Sequence, residues 1–257
     1  LLDETRPVVL AVGAPYLDIA VELALGTPSV RQVVVFDHDD RVAAHRAALQ
    51  RAQTALNTTV TVEHLTDVIE RGRELPTPRK YLDADDSRLA MILYTSGSTG
   101  LPKGAMWTER MVTALWTANL VRHPNLPVIN VNFAPLNHMA GRSALSVALQ
   151  AGGTSYFVAA SDLSTLLEDW RIVRPTHLLL VPRVVDMLHQ HYQTRLDQLM
   201  ADGMPTTRAH VQAKSELRED VLGGRVLLGM VTTAPLSAEM REFVADVVSA
   251  PVIDAYG

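Results

Sequence analysis

A chain of 257 residues with 47% hydrophobic content is long enough to bury a core and too apolar for a disordered segment. Its 23 Lys+Arg against 28 Asp+Glu give a formal charge of −5 with no basic block, which argues against a nucleic-acid partner. The absence of cysteine excludes disulfides, thiolate metal sites and a cysteine nucleophile, and no apolar run reaches the ~20 residues of a spanning helix, so a cytoplasmic protein with no membrane partner is expected.

Apolar β-rich runs alternate with helical patterns, which predicts an α/β fold of layered, largely parallel β-sheets flanked by helices. Residues 6–13 (RPVVLAVG) read as a strand, 16–25 as a helix, 31–36 (RQVVVF) as a strand and 41–56 as a helix with alanines and leucines at helical spacing. Within that opening, DHDD (37–40) looks like a metal cluster but reads more simply as helix capping. A strand at 60–65 leads into 71–87, whose prolines and charges make it the best linker, dividing a first α/β subdomain at 1–80 from a second at 88–257. Beyond it come strand 88–95, helix 106–121, strand 128–133, helix 142–150, strand 152–158, helix 163–173 and strand 176–182. Helices at 184–200 and 210–222, strand 224–231, helix 238–248 and strand 251–257 complete the chain. It opens on Leu1 without a methionine and reads as a piece of something longer.

Strand 88–95 runs directly into YTSGSTGLPKG (94–104). Glycine backbone can approach a ligand closely, and N–H groups in such a bend form an anion-binding concavity. Thr95, Ser96, Gly97, Ser98, Thr99 and Gly100 supply that backbone together with hydroxyl donors, and Lys103 adds a charge, a set suited to a polyphosphate. The glycine spacing is not that of a Walker loop, so a nucleotide site of another type is predicted.

This stretch resembles the phosphate-binding signature of the adenylate-forming superfamily. More narrowly, FAPLNHMAGR (133–142), LVPRVVDML (180–188), VLGGRVLLGMVTTAPLSAEM (221–240) and DAYG (254–257) are similar to the adenylation domain of bacterial carboxylic acid reductases. The likeness covers essentially the whole chain and implies a partial AMP-binding lobe, 1–257, with the C-terminal lobe absent. It further implies that ATP activates a small-molecule carboxylic acid to an acyl-adenylate, with Mg²⁺ at the phosphates. A phosphopantetheine carrier domain and an NADPH-dependent reductase domain of the same parent chain would then yield an aldehyde. An acyl-CoA synthetase and a nucleotide-binding module without catalysis stand as alternatives.

The resemblance also implies residue roles. His138 contacts the acyl-phosphate region and is the catalytic candidate. Thr233, Ala234 and Pro235 wall the adenine, Asp254, Ala255, Tyr256 and Gly257 form an adenine-facing turn, and the phosphate loop is the one described. The acid pocket is expected around Asn137, His138, Gly141, Met230 and Thr232, with small Ala140 and Gly141 leaving room for a bulky chain. Apart from the likeness, His138 reads as the cap of the following helix and Ser237 as the N-cap of helix 238–248. No metal ligand is assigned. The family's Mg²⁺-holding glutamate, ribose-binding aspartate and C-terminal lysine are not among these residues, so the chain alone is expected to adenylate poorly.

Overall fold

The computed structural model describes residues 1–57, 59–77, 85–95, 102–117 and 126–255. The chain forms two compact units, Leu1–Leu82 and Asp83–Gly257. In the first, α1 (Leu2–Thr5), β1 (Val9–Gly13), α2 (Leu17–Gly26), β2 (Gln32–Phe36), α3 (Ala43–Leu56), β3 (Thr61–His64) and α4 (Leu65–Arg73) follow one another. The sheet order is β1-β2-β3 with both pairs parallel, and each parallel return needs a crossover, here α2 and α3. Val33, Val34 and Val35 are buried in succession, the pattern of a central strand covered on both faces. Val33 and Val35 share a cluster with Leu17, Ala20 and Ala24 of α2 and with Ala48, Ala52 and Leu56, one stripe of α3 at four-residue spacing.

Two sequence readings change in this unit. Helix α4 lies mostly before the stretch read as linker and runs only three residues into it; it buries no residue, and its Arg71 reaches Glu63 of β3 through two bonds of 2.6 and 3.0 Å. Leu65, Val68 and Ile69 recur along it at helical spacing, so its period was legible although the sequence reading assigned residues 66–70 no element. The DHDD residues do not cap α3, whose N-cap is Val42 without a side-chain bond. Asp39 instead binds the Arg41 guanidinium, and its backbone N–H donates to Nδ1 of His45 at 3.2 Å.

The second unit contains β4 (Leu89–Thr95), β5 (Lys103–Thr108), α5 (Glu109–Thr117), β6 (Ile129–Asn132), α6 (Met139–Gln150) and β7 (Thr154–Phe157). It continues with α7 (Leu166–Val173), β8 (His177–Leu180), α8 (Pro182–Ala201), α9 (Thr206–Glu216), a π-helical turn (Leu217–Val221), β9 (Leu228–Val231), α10 (Ala238–Val248) and β10 (Val252–Asp254). Strands β10-β9-β8 form a parallel sheet, β6 and β7 a parallel pair, and β4 and β5 an antiparallel pair. The helix expected over 106–121 therefore begins only at Glu109. Met106 is paired with Ile92 and Ala105 with Leu93, and that ladder to a preceding strand overrides the local pattern.

The core of this unit lies around α8, which starts with Pro182 at its first position, where the missing N–H costs nothing. Its buried stripe of Val184, Val185, Leu188, Tyr192, Leu196 and Leu199 joins Trp170, Leu180, Leu217 and Phe243 in one cluster. Each such aliphatic side chain contributes about 1.5–3 kcal/mol on burial. Leu180 and Val231, the last residues of β8 and β9, belong to that cluster.

Candidate functional site

Strands β6, β8 and β9 end at Asn132, Leu180 and Val231, and residues just beyond each end, Phe133, Val181 and Thr233, line one open cavity of ≈ 470 Å³. Ligands of parallel α/β sheets gather beyond the carboxyl ends of the strands. Tyr94, Asn137, His138, Leu163 and Arg183 complete much of the wall.

His138 is the N-cap of α6, and its Nδ1 accepts the backbone N–H of Ala140 at 3.1 Å. That contact assigns the lone pair to Nδ1 and leaves Nε2–H as the donor of the neutral ring. The helix carrying it is pinned by two buried asparagines of β6. Asn132 Nδ2 donates to the Gly141 carbonyl at 2.9 Å and Asn130 Nδ2 to the Ala144 carbonyl at 2.8 Å. A Cβ on Gly141 would lie 2.4 Å from the Ala134 carbonyl oxygen and 2.5 Å from that of Pro135. The space expected at Gly141 for a bulky acid is thus taken by the protein's own loop, whereas Ala140, packed beside Ala144 and Leu179, does line the open cavity.

Thr95 and Lys103 face each other in the antiparallel ladder of β4 and β5, so the two ends of the intervening segment are held in register. Ser96, Gly97, Ser98, Thr99 and Gly100 lie outside the described residues, as do Tyr256 and Gly257. Lys103 is exposed at the start of β5. Gly104, expected in the loop, is in the strand. A Cβ there would meet the Tyr94 ring at 3.2 Å, so the glycine lets that ring cross the neighbouring strand toward the cavity wall.

At the other end of the site, the Thr232 N–H donates to the Leu180 carbonyl and the Ala255 N–H to the Val231 carbonyl, at 2.9 and 2.8 Å. Asp254 is paired with Arg241 at 2.6 Å. Ala234 and Pro235 lead to Ser237, which caps α10 by accepting the Met240 N–H at 3.2 Å, as its position predicts. Of the expected acid-pocket residues, Asn137 and His138 line the open cavity. Met230 instead borders a separate, more enclosed and apolar cavity with Ala144, Leu179 and Leu228, and the Thr232 side chain is buried.

Tyr94, Phe133, Leu163 and Arg183 are wall residues to which motif reading assigned no role. For Arg183 a signal exists: it is the second residue of α8, and a cation at a helix N-terminus opposes the helix dipole. Its guanidinium donates to the Asp162 carbonyl at 3.1 Å, while the Ser164 N–H and hydroxyl hold the Asp162 carboxyl below the usual carboxylate range. Among the described residues no three His, Cys, Asp or Glu side chains are arranged to hold a metal ion, and no helix is long and apolar enough to cross a membrane.

Comparison with known proteins matches residues 3–257 to the family described as AMP-binding enzyme. Carboxylic acid reductases of Segniliparus rugosus and Mycobacterium tuberculosis are 44% and 42% identical, over 100% of this chain and 22% of each relative. The adenylation domain of the Mycobacterium chelonae carboxylate reductase superposes with a TM-score of 0.89 at 43% identity, over 100% of this chain and 40% of that one. An A-PCP didomain of the S. rugosus reductase, solved with AMP, gives a TM-score of 0.85 at 44% identity, over 100% of this chain and 36% of that one. The chain therefore spans about 22% of the length of these curated relatives. With a match from residue 3 to residue 257 and the same α/β lobe, the chain belongs to the AMP-binding enzyme family.

Proposed function

We propose that this chain carries the ATP and acid site of an enzyme that adenylates a carboxylic acid, within a protein that transfers the acyl group to a phosphopantetheine thiol and reduces it with NADPH to an aldehyde. The observation that carries the adenylation step is His138, in the cavity wall with Nδ1 tied down and Nε2–H left as donor. The later steps rest on similarity to proteins named carboxylic acid reductase and on the A-PCP didomain of one of them. In this reading 88–257 carries the site and 1–80 is a separate subdomain, and the protein is cytoplasmic.

A carboxylate oxygen attacks the α-phosphorus of ATP, the bond from that phosphorus to the bridging oxygen of the β-phosphate breaks, and pyrophosphate leaves. The obstacle is one anion approaching another. Residues of this chain offset it with fixed donors: the His138 Nε2–H, the N-terminal dipole of α6 and the Arg183 charge in the same wall. Thr95, Ser96, Gly97, Ser98, Thr99, Gly100 and Lys103 are assigned to the phosphates. Thr233, Ala234, Pro235, Asp254, Ala255, Tyr256 and Gly257 are assigned to the adenine side. Mg²⁺ would neutralise phosphate charge; the described residues assign it no ligand.

Acid-dependent ATP–pyrophosphate exchange by the full-length protein tests this reading. His138→Ala should lower kcat/KM by roughly 10²-fold, the scale of one lost oxyanion donor. Because it also removes a cap, His138→Asn is the sharper variant: asparagine caps well, so stability should be kept while exchange still falls. Full exchange by His138→Asn would reduce the histidine to a cap.

A further inference from the structure

Among the described residues of the second unit, four that are not glycine have φ in the left-handed region: Leu163, Arg174, Thr233 and Ser249. Arg174 and Ser249 are the C-caps of α7 and α10, where that conformation ends a helix. Leu163 is buried in the main hydrophobic cluster, so packing holds it. Thr233 has neither explanation. It is exposed, caps no helix, and at φ 71° is β-branched, the side-chain class least suited to that region.

Its backbone is forced from both sides. The Thr232 N–H is bonded to Leu180 at the end of β8, and the Ala234 N–H donates back to the Thr232 carbonyl at 2.9 Å. The second bond closes a three-residue γ-turn around Thr233, and positive φ gives it the rare, strained hand. A glycine would hold this turn most cheaply, and the position instead carries a branched side chain in the wall of the cavity that contains His138. Unrelieved backbone strain on a cavity wall points to a side chain that acts there.

Resting on the adenylation reading, we propose that Thr233, at the border between the adenine wall and the acid side of the cavity it shares with His138, is a specificity-determining residue that narrows the site beside the reacting carboxylate. The acids it admits are those with a slender, unbranched carbon next to the carboxyl group. Acids branched at that carbon are excluded by the threonine side chain.

The test uses the full-length protein and its Thr233→Gly and Thr233→Ser variants, with a linear acid and its α-branched counterpart in pyrophosphate exchange. The readout is the ratio of kcat/KM for the two acids at one ATP concentration, in which a change in nucleotide affinity cancels. Thr233→Gly should raise the branched-to-linear ratio by about tenfold or more, the scale set by one or two methyl groups in a pocket, and raise the thermal midpoint by a few degrees. Thr233→Ser, without the methyl, should fall between wild type and glycine in both. An unchanged ratio in an active Thr233→Gly enzyme, or a lowered thermal midpoint, overturns this proposal alone. A wild-type protein silent with every acid overturns the adenylation reading and this proposal with it.

Discussion

Thr232 Oγ1 and Asn132 Oδ1 are both buried without a hydrogen-bond partner among the described residues, and the two cases differ in what the rest of the side chain does. An unsatisfied buried polar group costs about 1–3 kcal/mol. Asn132 offsets that cost through its Nδ2, which holds the first turn of α6 and with it His138. The Thr232 hydroxyl makes no hydrogen bond among the described residues. Thr232→Val keeps the shape and removes the orphan oxygen, so it should stabilise by about 1 kcal/mol, seen as a rise of about 2–4 °C in the thermal midpoint. A fall would mean that the hydroxyl has a partner in solution. At this scale His138 was legible from its motif and its place before a helix, whereas the φ of Thr233 was not. Handedness of a turn is decided by the strand that holds its first residue, and Leu180 is far from Thr232 in the chain.

Elements α8 and α9 are joined by charge as well as by apolar packing. Arg195 of α8 donates through Nε and Nη2 to Glu216, the last residue of α9, at 2.5 and 3.1 Å. Hydrogen bonding from Arg195 and then from Gln212 holds the Glu216 carboxyl below its usual 4.5, against the opposing effect of burial. A carboxylate with a depressed folded-state pKa stabilises the fold above its unfolded value, and that contribution disappears as pH falls through the folded value. Glu216→Gln should therefore be less stable than wild type at pH 7, by no more than about 1 kcal/mol because the pair is partly solvated, and the gap should shrink at about pH 3 as the lowered carboxyl takes up its proton. Urea unfolding at both pH values measures the difference; a constant gap across the range would refute the linkage. Most elements were legible from strand–helix alternation, and the two exceptions differ in cause. Helix α4 carries Leu65, Val68 and Ile69 at helical spacing and was open to reading, whereas β5 is set by its ladder to β4, which leaves no period in the sequence.

For the molecule as a whole, the proposed function turns on which thiol receives the acyl group. An acyl-adenylate is open to attack by a tethered or a free thiol, and the chain spans about 22% of the length of its curated relatives. The full-length protein, phosphopantetheinylated and supplied with ATP, NADPH and a linear acid, should release aldehyde. Acyl-CoA formed from free coenzyme A with no aldehyde would assign it to the synthetases. The formal charge of −5 adds a constraint on the site, since an anionic protein must concentrate its cations locally to receive ATP. In the proposed function, Arg183 in the cavity wall and Lys103 at the end of the β4–β5 pair serve as such cations.

By itself the sequence determined the alternation of strands and helices, the glycine and hydroxyl segment after β4, and the histidine that opens α6, because period, turn chemistry and capping are local properties of a chain. Tertiary structure alone decided that Tyr94, Leu163, Arg183 and Thr233 meet His138 in one cavity, that Met230 faces another, and that the bareness of Gly141 serves the packing of a loop. Those outcomes depend on which distant strands lie side by side and how closely backbones approach, and neither is encoded in any window of neighbouring residues.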